Sequence, residues 1–326
     1  MTWPAIARLD RVQRARPWLA FPVAVAKKFG DDRAGSLAAL IAYYGFFSLF
    51  PLLMVLVTLS DVFLRDRPEV RERLLSSALA QFPVIGDRIA ASVTPLHGTG
   101  WVIAIGTVTA VWAGLAGVGA AQRALDDVWD VPRRARPAFL RARLRALAML
   151  VSLGTFVIAA GVSTAAVATL GGGSGAWFAA AAMGTLLNAT AAFVAFRVLT
   201  VADVPVRAFI PGALFVGISW TILQTVGGSV VDRQVRGASD TYGTFAVVIG
   251  LLGWIYLAAQ VFLIGAEVNV VEHRRLWPRR LFPPPLETAD RRAIVDDTVE
   301  RSPRPEVDVR VRFRDRAGGV GGGRGG

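Results

Sequence analysis

The sequence predicts an all-α membrane protein, a six-transmembrane-helix bundle with an amphipathic helical extracytoplasmic segment between helices one and two. Three observations carry that prediction. The chain of 326 residues is 54% hydrophobic and only 18% charged, against roughly 45–50% and about 25% in soluble domains. Its charges gather in short segments and leave long uncharged runs between them. Those runs have the length needed to cross a hydrocarbon core about 30 Å thick, which takes roughly 20 apolar residues of helix. A membrane β-barrel would instead show alternating segments of about 10 residues, a pattern this sequence lacks.

Composition excludes several other classes. With no cysteine there is no disulfide scaffold, and with only His97 and His273 most zinc-site types lack ligands. The apolar content rules out disorder for most of the chain.

The elements follow in order. Residues 1–33 read as a cytoplasmic arm. Arg8, Arg11, Arg14 and Arg16 precede a short apolar stretch and Ala24-Val25-Ala26, which imitates a signal peptide. That stretch is bracketed by Pro17 and Pro22 and followed at once by Lys27-Lys28, so the better reading is an interfacial segment. Trp18, Phe21, Val25 and Phe29 would face the headgroup boundary while Lys27 and Lys28 reach phosphates.

The transmembrane domain is expected over 34–275. Ala34–Ser60 is the first uncharged run, and the second is apolar from Trp101 to Gln122. Between them, Leu74, Leu75, Ala78, Leu79 and Phe82 make a helical stripe that ends at Pro83, hence an amphipathic helix against the outer face of the bundle. Ala146–Phe196 holds 51 residues without a charge, enough for two spans, and Gly171-Gly172-Gly173-Ser174-Gly175 supplies the turn between them. Ala208–Val231 and Thr241–Ala266 complete the six. The tail over 276–326, opening on Arg279-Arg280 and Pro283-Pro284-Pro285 and ending rich in glycine, is expected to be disordered and cytoplasmic.

The net charge of +12 resolves by segment. Residues 1–33 and 121–145 each carry +4, and 267–280 carries +2, whereas 61–99 and 232–240 are neutral. Basic residues alone divide 20 to 7 between the two sides when the tail beyond 280 is left out. This positive-inside pattern puts both termini in the cytoplasm. The basic string Arg133, Arg134, Arg136, Arg141, Arg143 and Arg145 then faces anionic lipid headgroups. That reading asks for no nucleic-acid partner.

Polar residues inside spans are costly and point to function. The candidates for a substrate path are Tyr43, Tyr44, Ser48 and Pro51 in the first helix, and Asn188 and Arg197 in the fourth. Gln224 in the fifth follows, with Tyr256, Gln260, Glu267 and Asn269 in the sixth. Alternatives stand beside these: Ser48 can bond its own helix, and Asn188, Gln224 and Gln260 can bond between helices. Glu267 can pair with Arg274, Arg275 or a loop arginine. Pro51 is expected to kink its helix. Alanines at 34, 38 and 42, and the small residues Ala113, Gly117 and Ala121, make close-packing faces, which also permit a homo-oligomer.

No catalytic signature is present: HExxH, GxSxG and GxxxxGK[ST] are all absent, and the sequence implies no cofactor or metal. Asp126, Asp127 and Asp130 read as loop or helix-end charges.

Asp32, Ala34, Ala38, Ala42, Tyr43 and Tyr44, running into Ser48-Leu49-Phe50-Pro51-Leu52, resemble the first helix of the YihY/virulence factor BrkB family. Tyr242-Gly243-Thr244-Phe245, Trp254-Ile255-Tyr256-Leu257 and Gly265-Ala266-Glu267-Val268-Asn269 resemble its sixth. Pro211-Gly212-Ala213, Ala124-Leu125 and Val128-Trp129 agree. At Phe196-Arg197 the chain departs from the pattern, where the family more often has tyrosine before the arginine. The resemblance implies a multi-pass protein of the bacterial inner (cell) membrane. Members carry a ribonuclease BN-like label, for which this sequence offers no chemical support. The function implied is transporter-like, moving lipid or another envelope amphiphile. A structural scaffold is the alternative, and a membrane-associated ribonuclease stands behind both. A transporter predicts a polar groove between helices one, five and six.

Overall fold

A computed structural model describes residues 4–79, 100–132, 135–168, 174–224, 244–281 and 286–300, with 311 and 313. Among the described residues nine helices precede a last one in the tail. Two short helices open the chain, α1 (Pro4–Ala15) and α2 (Pro17–Asp31). The next are α3 (Ala34–Phe63), α4 (Pro68–Leu79), α5 (Gly100–Val128), α6 (Phe139–Ala168) and α7 (Ser174–Leu199). A 3-10 turn, Val206–Phe209, leads into α8 over 210–224. The last two are α9 (Thr244–Arg274) and α10 (Thr288–Glu300).

Six of these, α3 and α5 to α9, are long and apolar enough to cross a membrane, so the chain is a multi-pass membrane protein. Their side-chain distribution is that of a bundle immersed in lipid. On α3 the alanines 34, 38 and 42 are buried while Leu40, Tyr43, Phe47 and Phe50 are exposed. On α8, Ala213 and Val216 are buried while Ile210, Leu214, Ile218 and Ile222 form an exposed row at helical spacing. Lipid is as apolar as leucine, so burying large residues gains little there, and small residues take the helix contacts because they let backbones approach.

Among the described glycines, the tightest approach lies between α8 and α9. A Cβ on Gly212 would stand 1.9 Å from the Gly265 carbonyl oxygen, so only glycine fits. Elsewhere α3 packs along α5 and α9, and α6 and α7 form an antiparallel hairpin. The α4 helix packs on α6, as an amphipathic segment against the bundle would; its predicted end near Pro83 lies outside the described residues. So do the glycine turn over 171–173 and the span ends over 225–243.

Helix α3 runs continuously through Pro51, the proline expected to kink it. One expectation is corrected. The tail holds a helix where disorder was predicted: Asp290 on α10 bonds Arg279 Nε at 3.0 Å, and Glu287 bonds Arg14 Nη1 at 2.6 Å. Low hydropathy hid an element that is held by ion pairs.

Candidate functional site

The first candidate region is a buried charge cluster where α2, α3, α5 and α9 meet. Lys28 donates to Asp32 one turn on, to the Val128 carbonyl at 3.1 Å and to Asp130 Oδ1 at 3.3 Å. Asp130 has φ 47° and sits just beyond α5, where the Val131 N–H bonds back to the Asp126 carbonyl at 2.8 Å. This left-handed cap turns the Asp130 carboxylate back toward the bundle. Its other oxygen takes Arg274 Nη1 at 2.6 Å, and Arg274 also reaches Asp296 on α10 at 3.0 Å.

Glu267 completes the cluster from α9. It is fully buried, has no hydrogen-bond donor on either carboxylate oxygen, and faces Asp32 and Lys28. Burial pushes the Asp32 carboxyl up to about 7 against the pull of the Lys28 ammonium bonded to it. Burial raises Asp130 too, against Lys28 and Arg274. For Lys28 burial is outweighed by Glu267, Asp32 and Asp130, which hold it above the usual lysine range. The arrangement ties the N-terminal arm to the ends of α5 and α9, and buried pairs of this kind serve specificity of packing more than net stability.

The second region is a cleft of about 420 Å³ between α3, α5 and α6. One face of α5 supplies Gly119, Gln122, Arg123 and Asp126, spaced so that they line up on a helix. Tyr44 comes from α3, and Arg136, Phe139 and Arg143 from the approach to α6 and its first turns. Arg136 pairs with Asp127 at 2.6 Å. The Arg143 guanidinium lies 5.1 Å from the ring centres of both Trp112 and Phe139, a cation–π seat at the lipid boundary. Gln122 Nε2 and Asp126 Oδ1 are buried and have no hydrogen-bond partner.

The predicted path residues do not gather in one place. Tyr44 lines the cleft. Tyr43 is exposed and stacks edge-on against Tyr44 and Phe47. Ser48 bonds the Gly45 carbonyl of its own helix at 2.9 Å, the local alternative the sequence allowed. Pro51, Asn188 and Gln260 are half-buried within their spans, and Arg197 is exposed at the end of α7. Gln224 is the last described residue of α8. Tyr256 brings its hydroxyl to Gly35 on α3. Glu267 pairs with no arginine, contrary to expectation, because Asp130 and Asp296 hold Arg274 instead. Asn269, also fully buried, accepts the Gly212 N–H at 2.7 Å and so satisfies a backbone donor in the first turn of α8.

Where a groove between helices one, five and six was expected, α8 and α9 meet backbone to backbone at Gly212 and Gly265; an open volume lies between α3, α5 and α6. Lys28, expected at lipid phosphates, is buried among carboxylates, and Lys27 turns to the Arg280 carbonyl and to Asp290 at 3.4 Å. Arg133 and Arg134 lie outside the described residues. Arg141 is exposed, and one terminal nitrogen of Arg145 is buried without a partner. Sequence reasoning missed Gln122 and Arg123. The signal available was their spacing with Asp126 and Gly119 on one helix face. Asp126, Asp127 and Asp130 point three ways, to the cleft, to Arg136 and to Lys28. Among the described residues no three histidine, cysteine or acidic side chains converge as metal ligands.

Comparison with known proteins adds a family. A family model described as Virulence factor BrkB matches residues 25–285. A ribonuclease-like protein of Bacillus subtilis, YfkH, is 25% identical over 257 residues, which are 74% of this chain and 90% of the relative. A UPF0761 membrane protein of Pseudomonas paraeruginosa is 26% identical over 80% of this chain, and the match spans 65% of that longer relative. One of Vibrio vulnificus is 24% identical over 83% of this chain and 88% of its own length. No solved structure matches.

Proposed function

For a chain that belongs to the Virulence factor BrkB family, we propose a transporter-like role: it binds a phosphate-bearing amphiphile of the cell envelope and moves it across or within the bilayer. The observation that carries this reading is the cleft between α3, α5 and α6, where Arg123, Arg136 and Arg143 rim a volume of about 420 Å³. That volume lies in the usual range for small-ligand sites, about 300–1,000 Å³. It abuts an exposed apolar row on α6, Leu140, Leu144, Leu147 and Val151. Guanidinium groups bind phosphate oxygens through paired donors, and a lipid-facing row beside them gives acyl tails a place to lie.

The reading is non-enzymatic and uses no cofactor, nucleic-acid partner or metal. The charge asymmetry supports an inner-membrane orientation with both termini in the cytoplasm, which places the arginine rim on the cytoplasmic side. There it meets anionic headgroups, and the small-residue helix faces leave room for a homo-oligomer. Purified full-length protein reconstituted into liposomes tests the role. Fluorescent phospholipid should exchange between leaflets faster than in empty liposomes, and Arg123→Ala with Arg143→Ala should slow it. Protein-independent rates for every envelope lipid tried would overturn the proposal.

A further inference from the structure

The geometry points to a zwitterionic headgroup as the ligand of this cleft, one that carries a phosphate and an N–H-bearing ammonium together. The inference rests on the cleft being a lipid site, as proposed above, and adds which lipid. Two opposed demands lie within one volume. Arg123 and Arg143 present positive charge at its rim, while Arg136 is matched by Asp127 at 2.6 Å. Deeper in, Asp126 Oδ1 is an acceptor without a donor and Gln122 Nε2 a donor without an acceptor, both buried and both on the cleft wall. Unmet buried polar atoms of opposite kind cost free energy and mark where a ligand atom of the complementary kind belongs.

A phosphate answers the arginines and the Gln122 amide. It does not answer an ionised Asp126, because two acceptor groups would then face each other without a proton between them. An ammonium a few bonds away donates to Oδ1 and cancels the carboxylate charge. Trimethylammonium fails there, since it has no N–H. A glycerol hydroxyl can donate but brings no charge, and hydrogen bonds to charged groups are the stronger kind. The chemistry that fits is a phosphoethanolamine headgroup. Its two chains would run along Leu140, Leu144, Leu147 and Val151, the exposed apolar row beside the rim.

The test uses the full chain in nanodiscs of neutral, non-competing lipid, with spin-labelled or native mass-spectrometric readout of bound phospholipid. Phosphatidylethanolamine should be retained about tenfold to hundredfold over phosphatidylcholine, the difference one charge-assisted hydrogen bond makes. It should also exceed phosphatidylglycerol. Along the series of N-methylated forms, affinity should drop sharply at the third methyl, where the last N–H disappears; this measurement needs no variant. Asp126→Asn should erase the preference for phosphatidylethanolamine over phosphatidylglycerol, and Gln122→Leu should weaken both alike. A smooth decline with methylation, or phosphatidylglycerol binding at least as well, overturns the inference. If phospholipid still moves and depends on Arg123 in that case, the transporter reading stands without it. Competition by soluble phosphoethanolamine at the lipid's own concentration would show that the tails contribute nothing and overturn the lipid as source.

Discussion

Replacing Gly212 with alanine should force α8 off α9, and the size of the effect follows from the contacts. The new Cβ would stand 1.9 Å from the Gly265 carbonyl oxygen and 2.6 Å from both amide atoms of Asn269. The first obstacle is backbone of a long helix and cannot swing aside like a side-chain tip. Reaching ordinary contact at 3.4 Å requires the helices to part by about 1.5 Å. Overpacking costs about 1–3 kcal/mol. Parting also breaks the 2.7 Å bond from Gly212 to Asn269, and a buried donor left unmet costs about 1–3 kcal/mol more. The total is about 2–6 kcal/mol. Gly253→Ala on α9 and Gly154→Ala on α6 are the controls, since nothing lies within 4 Å of a Cβ at either. In a helix interior they should stabilise by up to about 1 kcal/mol. Thermal unfolding of the detergent-purified chains should therefore place Gly212→Ala well below the parent and both controls at or above it. A Gly212→Ala protein that melts with the parent would refute the close contact and the fold argument built on it.

Other outcomes follow from the charged regions. Lys28→Met should strip the ammonium bonded to Asp32 and destabilise by about 3–5 kcal/mol, the range for a broken buried pair. Acid should partly rescue it. The folded Asp32 carboxyl, already at about 7 against 3.8 unperturbed, favours the fold below its unfolded value and loses that contribution as pH rises through 7; melting temperature against pH reads this out. Docking of α10 should have the opposite sign. For Asp290, burial is outweighed by bonds from Arg279 and the Arg280 N–H, which hold its carboxyl below 3.8, so its contribution is present above that value and lost as pH falls beneath it. Asp290→Asn should speed hydrogen exchange over 288–300 at neutral pH, and unchanged exchange would contradict the ion-paired docking. A reporter fused after Gly173 should behave as extracytoplasmic; cytoplasmic behaviour there reverses the orientation.

What could be read in the chain beforehand divides by physical cause. The spans were legible because the cost of taking a charge into hydrocarbon acts on every residue of a helix, so absence of charge over 34–60 or 146–196 is a long, repeated signal. The alanines at 34, 38 and 42 were legible as a contact face for the same reason: their spacing repeats. The α10 helix was not, because its stability comes from single pairs such as Arg279 with Asp290 and Arg14 with Glu287. Those partners are separated by 11 and 273 positions, and no local pattern links them.

The same distinction separates the two polar regions of the bundle. Glu267 and Asn269 are conspicuous in sequence because they stand in an apolar helix, yet Asn269 bonds the Gly212 N–H and Glu267 faces Lys28 and Asp32. Gln122 and Asp126 are less conspicuous, one turn apart at the charged end of α5. Unmet atoms occur in both pairs: both Glu267 oxygens and Asn269 Nδ2 are buried without a hydrogen-bond partner, as are Gln122 Nε2 and Asp126 Oδ1. The difference lies in what surrounds them. Around Glu267 and Asn269 the protein closes completely, and there a polar residue in a span explains packing. Gln122 and Asp126 line an arginine-rimmed volume of about 420 Å³, where a ligand can supply the missing half, which is why the cleft on α5 is a stronger candidate for the working site than the cluster on α9.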